Sequence, residues 1–96
     1  VIEKYENKIL EPLEAFNLFR IIMEAVNNAV KHSGGNQIII EISNEEITIT
    51  DNGSGHYPKV SLGFGLTNMK QRADRIGYLF EIKFTSQGTT VNVKKN

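Results

Sequence analysis

Three clusters of polar and glycine residues in this sequence carry groups that could do chemistry. The first is a stripe along one predicted helix, made of Glu24, Asn28, Lys31 and His32. The second is the run Asp-Asn-Gly-Ser-Gly at 51–55, and the third is a pair of glycines at 63 and 65. Together they offer oxygen ligands for a divalent cation, cationic groups for phosphate, and backbone that a ligand can approach closely.

The helical stripe combines groups that suit magnesium and phosphate. Its four residues fall within about 100° of arc on a helical wheel. Carboxylate and carboxamide oxygens favour Mg²⁺, and the ammonium and imidazole groups favour phosphate. A solvated helix face is the commoner explanation of such a stripe. Two adjacent asparagines in the middle of a helix, Asn27 and Asn28, favour a functional role because asparagine is a mediocre helix former.

The two glycine-rich clusters predict ligand contacts by backbone. Asp51, at the end of a predicted strand, can accept hydrogen bonds from a planar ligand, while Gly53 and Gly55 let the ligand approach the chain. A hairpin turn built from good turn formers is the alternative. Gly63 and Gly65 are expected to open a helix, where free backbone amides bind anions. A flexible connector would explain them equally well.

The elements that must position these clusters follow from apolar periodicity. Three- and four-residue steps predict helices over 13–32 and 63–76. The core face of the first helix is expected to be Phe16, Phe19, Ile22, Met23, Val26, Ala29 and Val30. Apolar or alternating runs predict strands over 37–43, 46–50, 78–85 and 89–94, and an edge strand over 1–5. This order predicts an α+β fold, a two-layer sandwich with the helices on one face of the sheet.

Composition narrows the classes of protein that the sequence can represent. The chain has 96 residues, in which 11 Lys and Arg balance 11 Asp and Glu, so binding of nucleic acid by bulk charge is not expected. The absence of cysteine excludes thiol catalysis and Cys-ligated zinc. No continuous apolar run exceeds three residues, so no membrane span is expected. We expect residues 1–96 to form one domain, and a first residue other than Met favours a fragment of a longer protein.

Taken in order, the clusters resemble the sequence boxes of the GHKL ATPase superfamily. The closest resemblance is to the ATP-binding catalytic domain of bacterial sensor histidine kinases, and it covers about 16–93. Residues 24–32 resemble the N-box, 51–55 the adenine-binding Asp-x-Gly-x-Gly box, 63–66 the lid glycine box, and 88–91 the last box. The resemblance implies the Bergerat-type sandwich, with a mixed, mostly antiparallel sheet, and the binding of ATP with Mg²⁺.

The resemblance also implies a role for each residue that matches a box. Asp51 would bind the adenine amino group and Thr89 would support it, with Gly53 and Gly55 shaping the pocket. The lid box would close over the nucleotide and offer amides to the phosphates; its members are Gly63, Gly65 and Leu66. Asn28 would hold Mg²⁺, Lys31 and His32 would contact phosphate oxygens, and Glu24 would be the general base or a polarising group; these are the N-box assignments.

At the level of function, the resemblance implies the kinase half of a two-component sensor kinase. The γ-phosphate would pass to a histidine on a dimerisation hairpin that this chain lacks, and from there to a response regulator. Neither His32 nor His56 matches that acceptor, so the chain alone is expected to bind ATP without phosphorylating itself. The domain would be cytoplasmic, with membrane attachment only through missing parts of the parent. The alternatives are a serine kinase of the anti-sigma-factor type and a non-catalytic nucleotide-binding docking module.

Overall fold

The computed structural model describes residues 2–5, 10–53 and 59–96. In chain order the elements are β1 (Ile2–Tyr5), α1 (Pro12–Asn28), a π-helical turn (Ala29–Ser33), β2 (Ile38–Ile42), β3 (Glu46–Asp51), α2 (Lys59–Arg75), β4 (Tyr78–Thr85) and β5 (Gly88–Lys95). The strands form a five-stranded sheet in the order β1-β2-β3-β5-β4. β1 runs parallel to β2, and the other neighbouring pairs are antiparallel. The expected α+β sandwich with a mixed, mostly antiparallel sheet is confirmed.

Alternation along the strands gives the sheet one buried face. Ile47 and Ile49 of β3 are buried, and they lie opposite the buried Val93 and Val91 of β5. The residues between them point to the other face, as a period of two requires. Both helices pack on the buried face and contribute to one hydrophobic core; their most buried members are Leu18, Ile21, Met69 and Ala73.

The core face of α1 differs from the face that the sequence predicted. The buried apolar residues of α1 and the turn after it are Leu18, Ile21, Ala25 and Ala29, whereas four expected core residues are exposed: Phe16, Phe19, Met23 and Val30. Of the predicted stripe, Ala29 is buried, and Ile22 and Val26 pack against the core while partly exposed. The buried face is therefore rotated by about 100° around the helix axis from the predicted one.

The physical reason for this difference is that α1 is apolar around most of its circumference. Periodicity alone then favours the side with the largest side chains. The fold instead uses the side with two alanines, because a side chain that ends at Cβ lets the helix backbone lie close to its neighbours. As a consequence, Glu24 and Asn28 border the buried face instead of lying opposite to it.

The C-terminal end of the first helix is a π-helical turn. The prediction of one helix over 13–32 is correct for its extent, but residues Ala29–Ser33 have π-helical geometry. The Ala29 N–H is shared between the carbonyl oxygens of Ala25 and Val26 at the junction. Gly34, in the left-handed region with φ 73°, ends the turn as a residue without Cβ can. Single π-helical turns are rare and often occur at functional sites.

The second helix begins earlier than expected. α2 starts at Lys59, so residues 59–62 are helical and the glycines at 63 and 65 lie inside the helix, where we had expected a loop and a helix start. Pro58 precedes Lys59 in the sequence, and proline favours a helix start at that point. Gly77, with φ 74°, follows the helix as predicted. Within the described ranges, neither helix combines the length and apolar character needed to cross a membrane.

Two contacts join the ends of the helices to other elements. The buried Tyr78, at the start of β4, donates a hydrogen bond from its hydroxyl to Glu14 Oε2 of α1, at 2.7 Å. Burial raises the pKa of Tyr78 above its ordinary value, and the Glu14 carboxylate adds to the shift. On the outer side, the Arg72 guanidinium lies 5.6 Å from the centre of the Phe16 ring. The first contact fixes α1 against β4, and the second joins α1 to α2.

Candidate functional site

The side chain of Asp51 is held in place at the end of β3. It is only 5% exposed, and its Oδ1 accepts hydrogen bonds from the backbone N–H groups of Gly53 (2.9 Å) and Thr89 (3.3 Å). The Thr89 bond joins β3 to the first residues of β5, which lie opposite in the sheet. Because both donors are backbone groups, the carboxylate keeps a fixed orientation beside the cavity described below.

Asn52 joins the loop after the π-helical turn to the end of β3. Its Oδ1 accepts the backbone N–H groups of Asn36 and Gln37, each at 3.0 Å, and its Nδ2 donates to Asn36 Oδ1 at 2.8 Å. The Asn52 N–H also donates to the Gln37 carbonyl at 3.3 Å. A Cβ at Gly35 would collide with Asn52 Oδ1, so this loop packs tightly against the 51–53 segment. The loop that follows Lys31 and the Asp51 segment are therefore held as one unit.

A cavity opens between α1 and the buried face of the sheet. Its enclosed volume is about 10 Å³, and together with the open solvent space at its mouth it amounts to about 270 Å³. Its lining residues are Ala25, Asn28, Ile49, Asp51, Ile82, Thr89 and Val91. The walls are mostly aliphatic, whereas the polar groups come from three different elements. The enclosed part has room for about one water molecule, so a flat ring with a few hydrogen-bonding atoms would lie in the open mouth, beside these polar groups.

The Thr89 hydroxyl can still form a hydrogen bond with a water molecule or a ligand in this cavity. The residue is 4% exposed, and its Oγ1 is buried without a hydrogen-bond partner in the described part of the chain. Buried polar atoms in native proteins almost always have a partner, supplied by protein, water or ligand. An adenine ring offers both an amino donor and ring-nitrogen acceptors, so the pair Asp51 and Thr89 fits a nucleotide base.

The two helices meet where the polar stripe of α1 faces a glycine of α2. A Cβ at Gly65 would lie 2.6 Å from Glu24 Oε1 and 3.3 Å from Asn28 Nδ2. The absence of a side chain at 65 therefore permits the close approach of α2 to these two groups. The sequence predicts that Gly65 lies at a helix start with a free N–H. Gly65 instead lies inside α2, where its N–H belongs to the helical hydrogen-bond ladder. The structure thus gives Gly65 a steric role.

The remaining predicted site residues are distributed around this centre. Lys31 is exposed on the π-helical turn and does not line the cavity. Leu66 packs against the hydrophobic core. Gly55 and the side chain of His32 lie outside the described residues, and of Gly63 only the position within α2 is described. The structure therefore brings together Asn28, Asp51 and Thr89 in the cavity, with Glu24 and Gly65 adjacent to Asn28.

Ile49 and Ile82 were not singled out from the sequence, whereas Val91, Gly88 and Asn52 were named only as members of sequence boxes and without the contacts that they make. The aliphatic lining residues Ile49, Ile82 and Val91 could have been found by strand alternation, since they share a face with Asp51 or Thr89. Gly88 is required by a close approach: a Cβ there would collide with the Asp51 carbonyl oxygen. No local signal in the sequence indicates the hydrogen bonds of Asn52, because its partners lie about 15 residues earlier.

No cluster of acidic or imidazole groups suited to a metal is found in the described ranges. Within 2–5, 10–53 and 59–96, no three His, Cys, Asp or Glu residues form a group that could hold an ion. Asn28 offers one carboxamide oxygen at the cavity. A magnesium ion here would therefore need most of its ligands from water and from the phosphates of a nucleotide, which is the coordination that Mg²⁺ commonly adopts with nucleotides.

Comparison with known families identifies the class of protein. The sequence model of the histidine kinase-, DNA gyrase B- and HSP90-like ATPases matches residues 14–95. The chain belongs to this family, and the resemblance to the GHKL superfamily is confirmed. Sensor protein VraS of Staphylococcus saprophyticus is 36% identical, over 96% of this chain and 31% of the relative. VraS of Staphylococcus aureus strain COL is 38% identical, over 81% of this chain and 24% of the relative. The chain thus spans about a quarter to a third of these relatives.

Two solved structures that share this fold carry the name histidine kinase. The histidine kinase domain of the blue-light activated histidine kinase from Erythrobacter litoralis gives a TM-score of 0.76 at 15% identity, covering 98% of this chain and 53% of that one. Acinetobacter baumannii histidine kinase AdeS gives a TM-score of 0.70 at 12% identity, and the match covers 99% of this chain and 53% of that one. At such low identities the likeness concerns the fold, and it agrees with the family assignment.

Proposed function

We propose that residues 1–96 are the ATP-binding catalytic domain of a two-component sensor histidine kinase. The observation that carries the proposal is the cavity in which Asn28, Asp51 and Thr89 meet from three elements, with an unpartnered buried hydroxyl on Thr89. The family assignment supports ATP as the nucleotide. The names of the relatives support a sensor protein as the parent.

The adenine end of the site consists of Asp51 and Thr89. The Asp51 carboxylate, fixed by two backbone N–H groups, accepts the exocyclic amino group of the base. The Thr89 hydroxyl gains its missing partner from the base, directly or through a water molecule. Gly53 donates its N–H to Asp51 and has no side chain, so the base can approach the backbone at this edge. We propose the same role for Gly55.

The phosphate end of the site lies along the polar stripe of α1. Asn28 would hold magnesium through its carboxamide oxygen, and the metal would neutralise phosphate charge. Lys31 and His32, on the π-helical turn, would contact phosphate oxygens. The proposed lid is the part of α2 that would lie over the phosphates, and it contains Gly63, Gly65 and Leu66. For Gly65 the contact with Glu24 supports a steric role, in addition to any role in lid closure.

The proposed reaction moves the γ-phosphoryl group to a histidine outside this chain. A bond forms between an imidazole nitrogen and the γ-phosphorus, and the bond from that phosphorus to the bridging oxygen of ADP breaks. Glu24, which lies beside Gly65 together with Asn28, would accept or polarise the proton of the acceptor. The acceptor would lie on a dimerisation hairpin of the parent, which would pass the group to a response regulator. Such a domain would work in the cytoplasm, with any membrane anchor elsewhere in the parent.

Calorimetric titration with ATP, in the presence and absence of Mg²⁺, tests the nucleotide site. We expect a Kd in the micromolar to millimolar range, about −8 to −4 kcal/mol, that is tighter with Mg²⁺. Asn28→Ala should remove the effect of Mg²⁺. Asn27→Ala is the matched control, because Asn27 is the adjacent, exposed asparagine of the same helix. Absence of binding at millimolar ATP, or an equal loss in both variants, would contradict the proposal.

The acceptor is tested in the longer parent protein with γ-labelled ATP. A histidine kinase forms a phosphoramidate that is lost in acid and survives alkali, whereas phosphoserine shows the opposite stability. We expect an acid-labile label. Glu24→Gln should reduce the amount of this label while the affinity for ATP is retained. Acid-stable label on a separate protein would assign the chain to the serine-kinase class instead.

A further inference from the structure

An exposed aromatic side chain stands at the end of β4, on the face of the sheet that bears the cavity. Alternate residues of this strand, from Tyr78 through Phe80 and Ile82 to Phe84, share that face. Their exposure rises in the same direction: Tyr78 is buried, Phe80 and Ile82 are half-buried, and Phe84 is 44% exposed. The strand therefore leads from the hydrophobic core past Ile82, which lines the cavity, to Phe84, which is on the same face but is not one of the lining residues.

The sheet register places Phe84 in one row with the polar residues of the adenine end. Phe84 lies opposite Thr89 across the β4–β5 pair, and Thr89 lies opposite Asp51 across the β5–β3 pair. Adjacent strands are about 4.8 Å apart, so the backbones of Phe84 and Asp51 are about 10 Å apart, with Thr89 between them. Thr89 between them is buried, so the exposed Phe84 ring lies at the open side of this row.

The next row confirms which face these side chains occupy. Ile82, Val91 and Ile49 lie opposite one another and all line the cavity. The residues that alternate with them, such as Lys83 and Thr90, line a separate polar depression on the other face of the sheet. Phe84 thus belongs to the cavity face by the strict alternation of the strand.

We propose that Phe84 is a base-contacting residue that forms the side wall of the nucleobase site. A purine whose amino group is bound by Asp51 lies over Thr89 and within reach of the phenyl ring. Aromatic rings stack on nucleobases whatever the base, so Phe84 adds affinity, while Asp51 supplies the selection for adenine. The assignment rests on the proposed function, because it adds a residue to the same nucleotide site.

The experiment compares ligands that contain or lack a base. Phe84→Ala should weaken binding of ATP about 5- to 150-fold, the usual effect of removing one aromatic–base contact. Its affinity for inorganic tripolyphosphate, which has no base, should be unchanged. Leu79→Ala is the matched control: Leu79 lies on the same strand, points to the other face and is 56% exposed. Its affinity for ATP should stay within about twofold of the wild type.

A second variant reports contact directly and guards against misfolding. The chain contains no tryptophan, so Phe84→Trp introduces a single fluorophore. This variant should retain ATP affinity, and its emission should change on addition of ATP and remain constant on addition of tripolyphosphate. Two results would overturn the role of Phe84 and leave the proposed function intact. One is an ATP affinity of Phe84→Ala equal to that of the wild type, and the other is an emission of Phe84→Trp that does not change although ATP binds. A wild-type chain that binds no ATP would overturn the proposed function and this assignment with it.

Discussion

Exchanging Asp51 for asparagine reverses one hydrogen-bonding atom in the cavity and changes little else. The two side chains have nearly the same shape. In the wild type, Oδ1 accepts the N–H groups of Gly53 and Thr89. An asparagine can satisfy both donors only by directing its carbonyl oxygen toward them. Its NH₂ group then takes the place of the second carboxylate oxygen, so a donor stands where an adenine amino group also donates.

The magnitude of the effect on binding follows from the loss of a charged acceptor. A hydrogen bond to a charged group contributes about 1.5–3 kcal/mol, so the Kd for ATP should rise about 10- to 150-fold. The fold should lose less, about 1 kcal/mol, because both backbone donors keep an acceptor. For a chain of 96 residues this corresponds to a decrease in Tm of about 4–8 °C. Asp51→Ala, which leaves two buried donors unsatisfied, should cost about 1–3 kcal/mol for each donor.

The assay is calorimetry with ATP and with inosine triphosphate, which carries an oxygen in place of the exocyclic amino group. The wild type should prefer ATP, and Asp51→Asn should reduce or reverse that preference, because its NH₂ group can donate to the inosine oxygen. Thermal melts of both proteins establish that the variant is folded. An unchanged ratio of the two affinities in a folded variant would refute the assignment of Asp51 to the base.

Three further predictions concern the packing around the site. Ile21→Ala should lower the free energy of unfolding by about 2–5 kcal/mol and Phe19→Ala by less than about 1 kcal/mol, as measured by urea titration. Since burial holds the phenol of Tyr78 protonated, raising the pH above about 10 should destabilise the wild type relative to Tyr78→Phe, by about 1.4 kcal/mol per pH unit. Gly65→Ala should give less than the gain of about 1 kcal/mol usual in a helix interior, because the new methyl group displaces the Glu24 carboxylate and lies 3.3 Å from Asn28 Nδ2. Adding Glu24→Ala should restore that gain.

Each of these predictions has a contrary result that would be informative. Equal losses of unfolding free energy for Ile21→Ala and Phe19→Ala would support the core face that the sequence predicts. The sign of the pH effect is fixed: above pH 10 the unfolded chain releases the tyrosine proton before the folded one does, so stability must fall. A wild type and Tyr78→Phe with parallel pH profiles would show that the phenol is not held protonated. A fully stabilised Gly65→Ala single variant would show that the Glu24 and Asn28 side chains move aside without cost.

The strands and the ends of the site were predictable from sequence because they depend on local patterns. Alternation along 46–50 and 89–94 places Asp51 and Thr89 at strand ends on the buried face, and the structure confirms both positions. The core face of α1 was not predictable, because apolar residues surround most of that helix. Which side is buried depends on how closely the backbone approaches the sheet. The small side chain of Ala25 permits that approach, but only the folded structure shows that it is used.

The start of α2 and the Asn52 hydrogen bonds illustrate a second limit. The glycines at 63 and 65 indicated a helix start, since glycine lowers helix propensity, yet core packing of Met69 and Ala73 keeps α2 in place around them. Asn52 was part of a recognisable turn sequence, but its partners lie in a loop that follows the π-helical turn. Local propensity describes each segment alone, whereas these features depend on which segments meet.

The hydrogen bond between Asp51 and Thr89 joins two halves of the domain that are each local in sequence. β2 and β3 form one hairpin and β4 and β5 form another, whereas this bond spans 38 residues. Neither hairpin alone contains the adenine end of the site, so the opening of either one abolishes binding. If nucleotide binds as proposed, it should slow amide hydrogen exchange in both hairpins together, by about 2.7 kcal/mol of added stability at a concentration 100 times Kd. The two hairpins are already paired through β3 and β5, and a bound ligand would add a further link between them at the Asp51–Thr89 end.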